Sequence, residues 1–211
     1  HFTFNNNKLT ELVKQLSDGS YVIDTLGYDD NGLRASKMIQ TRSSGGTLTS
    51  SKTIWYFYDG DRLVTQKEGT NRLDFLYDEQ GLLYGFIRNN DKKYFYIRDI
   101  YLNILGIVDE NGQLVVKYNC DAYGNKVSIT DTSGINLGVE NPFRYKGYYY
   151  DEETGLFMVG HRYYNPEWGR WLSPDDIEYL DPESINGLNL YAYCGNDPVN
   201  RIDPDGHAWY H

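Results

Sequence analysis

The chain has 211 residues, 40% of them hydrophobic, with 30 acidic against 20 basic side chains and a formal net charge of -10. That balance argues against a nucleic-acid partner, because phosphate neutralisation needs a basic patch and here Lys and Arg are scattered among acids. No apolar run approaches the ~20 residues of a membrane-spanning helix, and two cysteines, Cys120 and Cys194, are too few for a disulfide framework, leaving open one bridge or two buried thiols.

The 21 Tyr, 8 Phe and 4 Trp predict a core built on ring faces, since a Tyr ring buries apolar area while its hydroxyl reaches a polar partner. The chain begins at His1 without Met or a signal peptide and so reads as a piece of something longer. Leu9, Leu12, Val13 and Leu16 follow helical spacing, with Asn6 or Asn7 as a cap. Their place ahead of Asp18-Gly19 and Tyr21-Val22-Ile23 nevertheless favours the first arm of a β-hairpin.

A Tyr-Asp pair followed by Gly then recurs. The clearest copies are Tyr28-Asp29-Asp30-Asn31-Gly32-Leu33, Tyr77-Asp78-Glu79-Gln80-Gly81-Leu82 and Tyr150-Asp151-Glu152-Glu153-Thr154-Gly155-Leu156, with looser ones at Tyr58-Asp59-Gly60 and Val108-Asp109-Glu110-Asn111-Gly112. Their irregular spacing, 19 to 42 residues, predicts one hairpin per unit with variable strand length rather than a solenoid of fixed period. Runs such as Thr53-Ile54-Trp55-Tyr56-Phe57-Tyr58, Leu73-Asp74-Phe75-Leu76-Tyr77 and Lys93-Tyr94-Phe95-Tyr96-Ile97 are the strands between turns. The expected organisation is a repeat region at 1–130, a linker-like loop at 131–140 that is poor in aromatics, a terminal block at 141–206 and the start of an extension at 207–211.

The terminal block reads Asn141-Pro142-Phe143-Arg144-Tyr145-Lys146-Gly147-Tyr148-Tyr149-Tyr150-Asp151, then Arg162-Tyr163-Tyr164-Asn165-Pro166, Gly169-Arg170-Trp171-Leu172-Ser173-Pro174-Asp175 and Asn189-Leu190-Tyr191-Ala192-Tyr193. It closely resembles the RHS-repeat-associated core of RHS/YD-repeat proteins, and the upstream units resemble YD repeats. The resemblance implies an all-β fold: antiparallel hairpin repeats forming part of a spiral sheet shell, with the core block as a plug. It also implies a secreted or bacterial cell-surface module that encloses a C-terminal effector and contacts upstream shell repeats. Teneurins and toxin-complex C components carry related shells.

Some members hold an intramolecular aspartyl-protease-like site in the core. Matched residue by residue, its members here are Arg162, Asp175 and Asp203, with the cut after His207, at His207-Ala208. Two close carboxylates cannot both ionise cheaply, so one serves as acid while the other activates water, and Arg162 is expected to hold one of them bidentately. Three positions depart from the family pattern: His207 stands where cleaving members carry Leu, Asp176 where Pro is common, and Asn165 where Asp is usual. Alternatively, Asp175 and Asp203 serve only as turn and cap residues near Pro.

No cofactor or metal is expected. Asp29-Asp30-Asn31 and Asp203-Pro204-Asp205 lack the spacing of a calcium loop. His161, His207 and His211 do not make a zinc spacing with either cysteine. The acidic run Asp175, Asp176, Glu178, Asp181 and Glu183 reads as a solvated loop. The rival reading of the whole chain is an adhesion or glycan-binding surface fragment, with Trp55 and Trp168 as stacking candidates.

Overall fold

The computed structural model describes residues 1–175, 189–204 and 206. Twelve strands lie in chain order in one sheet, each antiparallel to the next. They are β1 (Phe2–Asn5), β2 (Lys8–Gln15), β3 (Tyr21–Tyr28), β4 (Arg34–Arg42), β5 (Leu48–Asp59), β6 (Arg62–Glu68), β7 (Asn71–Tyr77), β8 (Leu83–Arg88), β9 (Lys92–Arg98), β10 (Ile104–Asp109), β11 (Leu114–Cys120) and β12 (Lys126–Asp131). A second antiparallel meander comprises β13 (Tyr149–Asp151), β14 (Leu156–Val159), β15 (Arg162–Asn165) and β16 (Arg170–Trp171). The chain divides into two compact units, His1–Tyr94 and Phe95–His211.

In the first unit, Leu9 and Leu12 are both buried on a strand although three residues apart. The register of β1 against β2 shifts between Thr3 and Phe4, so Thr10 is an extra residue. Such a bulge reverses the in-out alternation once, which gives a strand the apolar spacing of a helix. Asn6 and Asn7 form the hairpin turn, with φ of 47° and 63°.

The Tyr-Asp unit works through two contacts. Asp78 Oδ1 accepts the backbone N–H of Gln80 at 3.0 Å and of Leu82 at 2.8 Å, closing a turn whose fourth residue, Gly81, has φ +82°. That conformation suits Gly, and the missing Cβ leaves room for the Arg62 guanidinium, which covers the Tyr77 ring at 4.9 Å. The Tyr77 hydroxyl donates back to the carbonyl of Leu63 at 2.8 Å, as Tyr28 does to Leu9 and Tyr58 to Arg34. The register shifts just before or at Tyr28, Tyr58 and Tyr77, so each turn ends in a bulge. Asp29 uses its carboxylate on the Leu33 N–H, which accounts for this acidic stretch as a turn.

Burial pushes the Tyr77 hydroxyl up to about 12, against the pull of Arg62. The unfolded side chain ionises near 10, so above that pH the unfolded state sheds its proton first. The Tyr77 contribution to stability is therefore full below about 10 and falls as pH climbs through about 12. Tyr77→Phe is expected to cost about 0.5–1.5 kcal/mol at neutral pH for the lost hydrogen bond. It also flattens the alkaline fall, measured as urea midpoints across pH.

The second unit continues the same turn chemistry at three places without a Tyr-Asp pair, one of them at Asp109, which accepts the N–H of Asn111 and Gln113, each at 2.9 Å. Asp99 accepts the N–H of Tyr101 and Asn103, and Asp121 those of Tyr123 and Asn125, each at 2.9 Å. Within segment 131–140, Asp131 accepts from Ser133 and Gly138. A short helix, α1 (Leu137–Glu140), follows, with Leu137 fully buried.

The β13–β16 meander packs a cluster of Tyr145, Tyr148, Phe157, Val159, Tyr164, Trp171, Tyr193 and Cys194. Tyr164 and Tyr193 lie 4.0 Å apart between ring centroids. Cys194 is buried there, whereas Cys120 is exposed and both are free thiols. Neither sequence alternative, one bridge or two buried thiols, therefore holds. Cys194 belongs to an apolar aromatic cluster, whereas Cys120 ends a strand beside an exposed turn. Among the described residues no helix is long and apolar enough to cross a membrane.

Candidate functional site

Arg162 opens β15 directly across from Val159, the last residue of β14. The hairpin and the ring of Trp171, 4.1 Å from the guanidinium carbon, hold the side chain in a buried position. Beyond β16 the chain is stitched between two neighbours: Trp171 donates to the Tyr191 carbonyl, Leu172 to Tyr163 and Asp175 to Leu190. This threading delivers the Asp175 carboxylate to Arg162.

Asp203 arrives from the other side and is 2% exposed. Its carbonyl accepts the Tyr148 hydroxyl at 2.6 Å, and Tyr193 donates to Tyr148 at 3.2 Å. Burial raises the Tyr148 hydroxyl well above the usual tyrosine range, so it stays a donor. Asp203 Oδ1 accepts the Gly206 N–H at 2.8 Å. Gly206 has φ +84°, and a Cβ there would lie 2.6 Å from the Val159 carbonyl oxygen.

The three residues singled out by the sequence thus meet at one nitrogen. Arg162 Nη2 lies 2.7 Å from Asp175 Oδ2 and 3.4 Å from Asp203 Oδ2, with side-chain exposures of 6%, 11% and 3%. The arrangement is a bridge to two carboxylates, where a bidentate grip on one was expected. A guanidinium is always charged, so Arg162 supplies a counter-charge to both acidic side chains. The sequence reading missed Tyr148, Tyr193 and Trp171, which hold the cluster. Tyr148 sits in a run of three tyrosines with nothing to distinguish it, and only the fold turns its hydroxyl toward Asp203.

Asn165 Oδ1 accepts the N–H of Glu167 at 2.9 Å and of Trp168 at 3.3 Å, the task an Asp would perform at that turn. The His207-Ala208 bond, Asp176, Asp205, His211 and the acids at Glu178, Asp181 and Glu183 lie outside the described residues. Among the described residues no three His, Cys, Asp or Glu side chains converge as metal ligands. Trp55 and Trp168 are exposed at 54% and 57%.

Comparison with known proteins gives concordant matches. The family described as Teneurin YD-shell matches residues 1–199. The tRNA3(Ser)-specific nuclease WapA of Bacillus spizizenii is 36% identical over 205 residues, covering 95% of this chain and 8% of the relative. Toxin subunit YenC1 of Yersinia entomophaga is 29% identical, covering 88% of this chain and 19% of that protein. The crystal structure of TcdB2-TccC3-TEV superposes with a TM-score of 0.71 at 22% identity, over 97% of this chain and 10% of that one, a likeness of fold. The chain spans less than a fifth of the length of each of these proteins.

Proposed function

The chain belongs to the teneurin YD-shell family, and on that premise we propose that it is the closing part of a toxin-related RHS shell. In this reading the repeats continue a wall begun upstream, the terminal block plugs it, and a C-terminal effector segment is enclosed and then cut loose after His207. The parent protein is secreted or displayed on a bacterial surface. The observation that carries the reading is the Arg162 bridge to Asp175 and Asp203, with Gly206 tied to the same Asp203. That tie fixes the chain a single residue before His207.

The chemistry follows from the unequal contacts. In this reading Asp175, on the shorter contact, is the base and Asp203 is the acid. Water adds to the His207 carbonyl carbon and passes a proton to Asp175. Asp203 gives its proton to the Ala208 nitrogen as the C–N bond breaks. The reaction turns over once, because the substrate is the chain itself.

The test is to express the intact protein with its natural C-terminal extension and run a denaturing gel. Two bands are expected for the native sequence, and one full-length band for Asp175→Asn and for Asp203→Asn, a loss of at least ~10²-fold in rate, as general acid–base catalysis requires. A single band for the native sequence, or two bands in every variant, removes the protease role. The exposed rings of Trp55 and Trp168 favour glycan contact as a second reading. A glycan array whose signal survives Trp55→Ala and Trp168→Ala excludes it.

A further inference from the structure

A cleft of about 290 Å³ opens in the second unit, away from the Arg162 cluster, between the turns at Asp99 and Asp121 and the rings of Tyr101, Tyr118 and Tyr145. Lys146 closes its floor. This lysine is only 5% exposed and is held at φ +50°, a left-handed conformation uncommon for a residue with a side chain. Its backbone N–H donates to Asn103 Oδ1 at 2.9 Å. The amine itself makes no hydrogen bond or ion pair among the described residues and lies over Tyr101 at 5.7 Å and Tyr145 at 5.5 Å.

A buried lysine normally answers to a carboxylate. Two are present at the cleft, and both are committed elsewhere. Asp99 accepts from Tyr101 N, Asn103 N and Asn103 Nδ2, and Asp121 from Tyr123 N, Asn125 N and Asn125 Nδ2. Their charges also oppose an anionic ligand, the other usual partner of an ammonium. Burial lowers the Lys146 ammonium from the ordinary lysine range despite the upward pull of Cys194 and Asp99. What remains is a buried amine without a polar partner among the described residues, beside an aromatic-walled space, the setting in which lysines add to carbonyl carbon.

We propose that Lys146 is the nucleophile of a carbonyl-binding site that takes a neutral aromatic aldehyde into this cleft as an imine. The amine lone pair adds to the aldehyde carbon, the oxygen collects two protons and leaves as water, and a C=N bond forms with no change in oxidation state. The Cys120 thiol lines the same cleft. It adds to aldehydes reversibly, without forming an imine.

The intact protein is treated with limiting benzaldehyde and cyanoborohydride, and the trapped benzylamine is located by peptide mass spectrometry. The first adduct is expected at Lys146, ahead of the exposed Lys92 and Lys93. It is lost in Lys146→Arg and kept in Cys120→Ser. Val199→Trp, at an exposed residue of the rim, is expected to slow Lys146 to the rate of Lys92 without altering the amine. Labelling of Lys92 and Lys93 before Lys146 overturns the proposal. So does protection of Lys146 by benzoate but not by benzyl alcohol, which marks an anion site instead.

Discussion

Arg162→Met is expected to lower folding stability by about 3–5 kcal/mol, the cost of stripping the counter-charge from buried carboxylates. Asp175 and Asp203 sit on the same guanidinium nitrogen with side chains 11% and 3% exposed, so neither finds solvent when the cation is removed. Met keeps the length and packing against Trp171, which isolates charge from volume. If repulsion and desolvation cause the loss, adding Asp203→Asn to Arg162→Met restores part of it, whereas Asp203→Asn alone destabilises. Urea titrations of the four proteins give the coupling directly. A loss below ~1 kcal/mol, typical of a surface pair, means that water reaches the cluster.

How much of this was written in the chain depends on whether a signal is local. The Tyr-Asp…Gly turns were legible because their logic closes within five residues: Asp78 caps its own turn and Gly81 takes the positive φ. The turns at Asp99 and Asp121 use the same hydrogen bonds but went unread. Arg98 and Cys120 stand where Tyr is expected, and Leu102 adopts φ +65° where Gly normally would. At β2 the apolar spacing was ambiguous because a bulge at Thr10 shifts the parity of the strand.

The site divides in the same way. Arg162, Asp175 and Asp203 were picked out by a family resemblance that spans most of the chain, and the fold brings them to one nitrogen. Their support depends on long-range contacts that spacing does not encode. Tyr148 reaches Asp203 across 55 residues, and Tyr193 reaches Tyr148 across 45. Segment 131–140 reads as linker-like because it is poor in rings; its bond from Gly138 N–H to the Asp131 carboxylate and its buried Leu137 are contacts that composition does not encode.

Gly206→Ala is expected to slow the proposed self-cleavage by about 10²-fold, the cost of a misplacement near 1 Å between reacting groups. It alters neither Arg162, Asp175 nor Asp203. The added methyl would lie 2.6 Å from the Val159 carbonyl oxygen, which is backbone in a paired strand and cannot step aside as a side-chain tip can. The φ of +84° also resists any Cβ. The chain must therefore pull away from β14, stretching the 2.8 Å bond from the Gly206 N–H to Asp203 Oδ1. Tyr148→Phe acts on the opposite side of the same turn by removing the donor to the Asp203 carbonyl. Because it leaves the Gly206 backbone intact, its effect on rate is expected to be smaller. A time course of band appearance on a denaturing gel, with urea midpoints alongside, separates misalignment from unfolding. If the Ala variant cleaves at the native rate, Gly206 does not position the scissile segment and the carboxylates act on a chain held by other contacts.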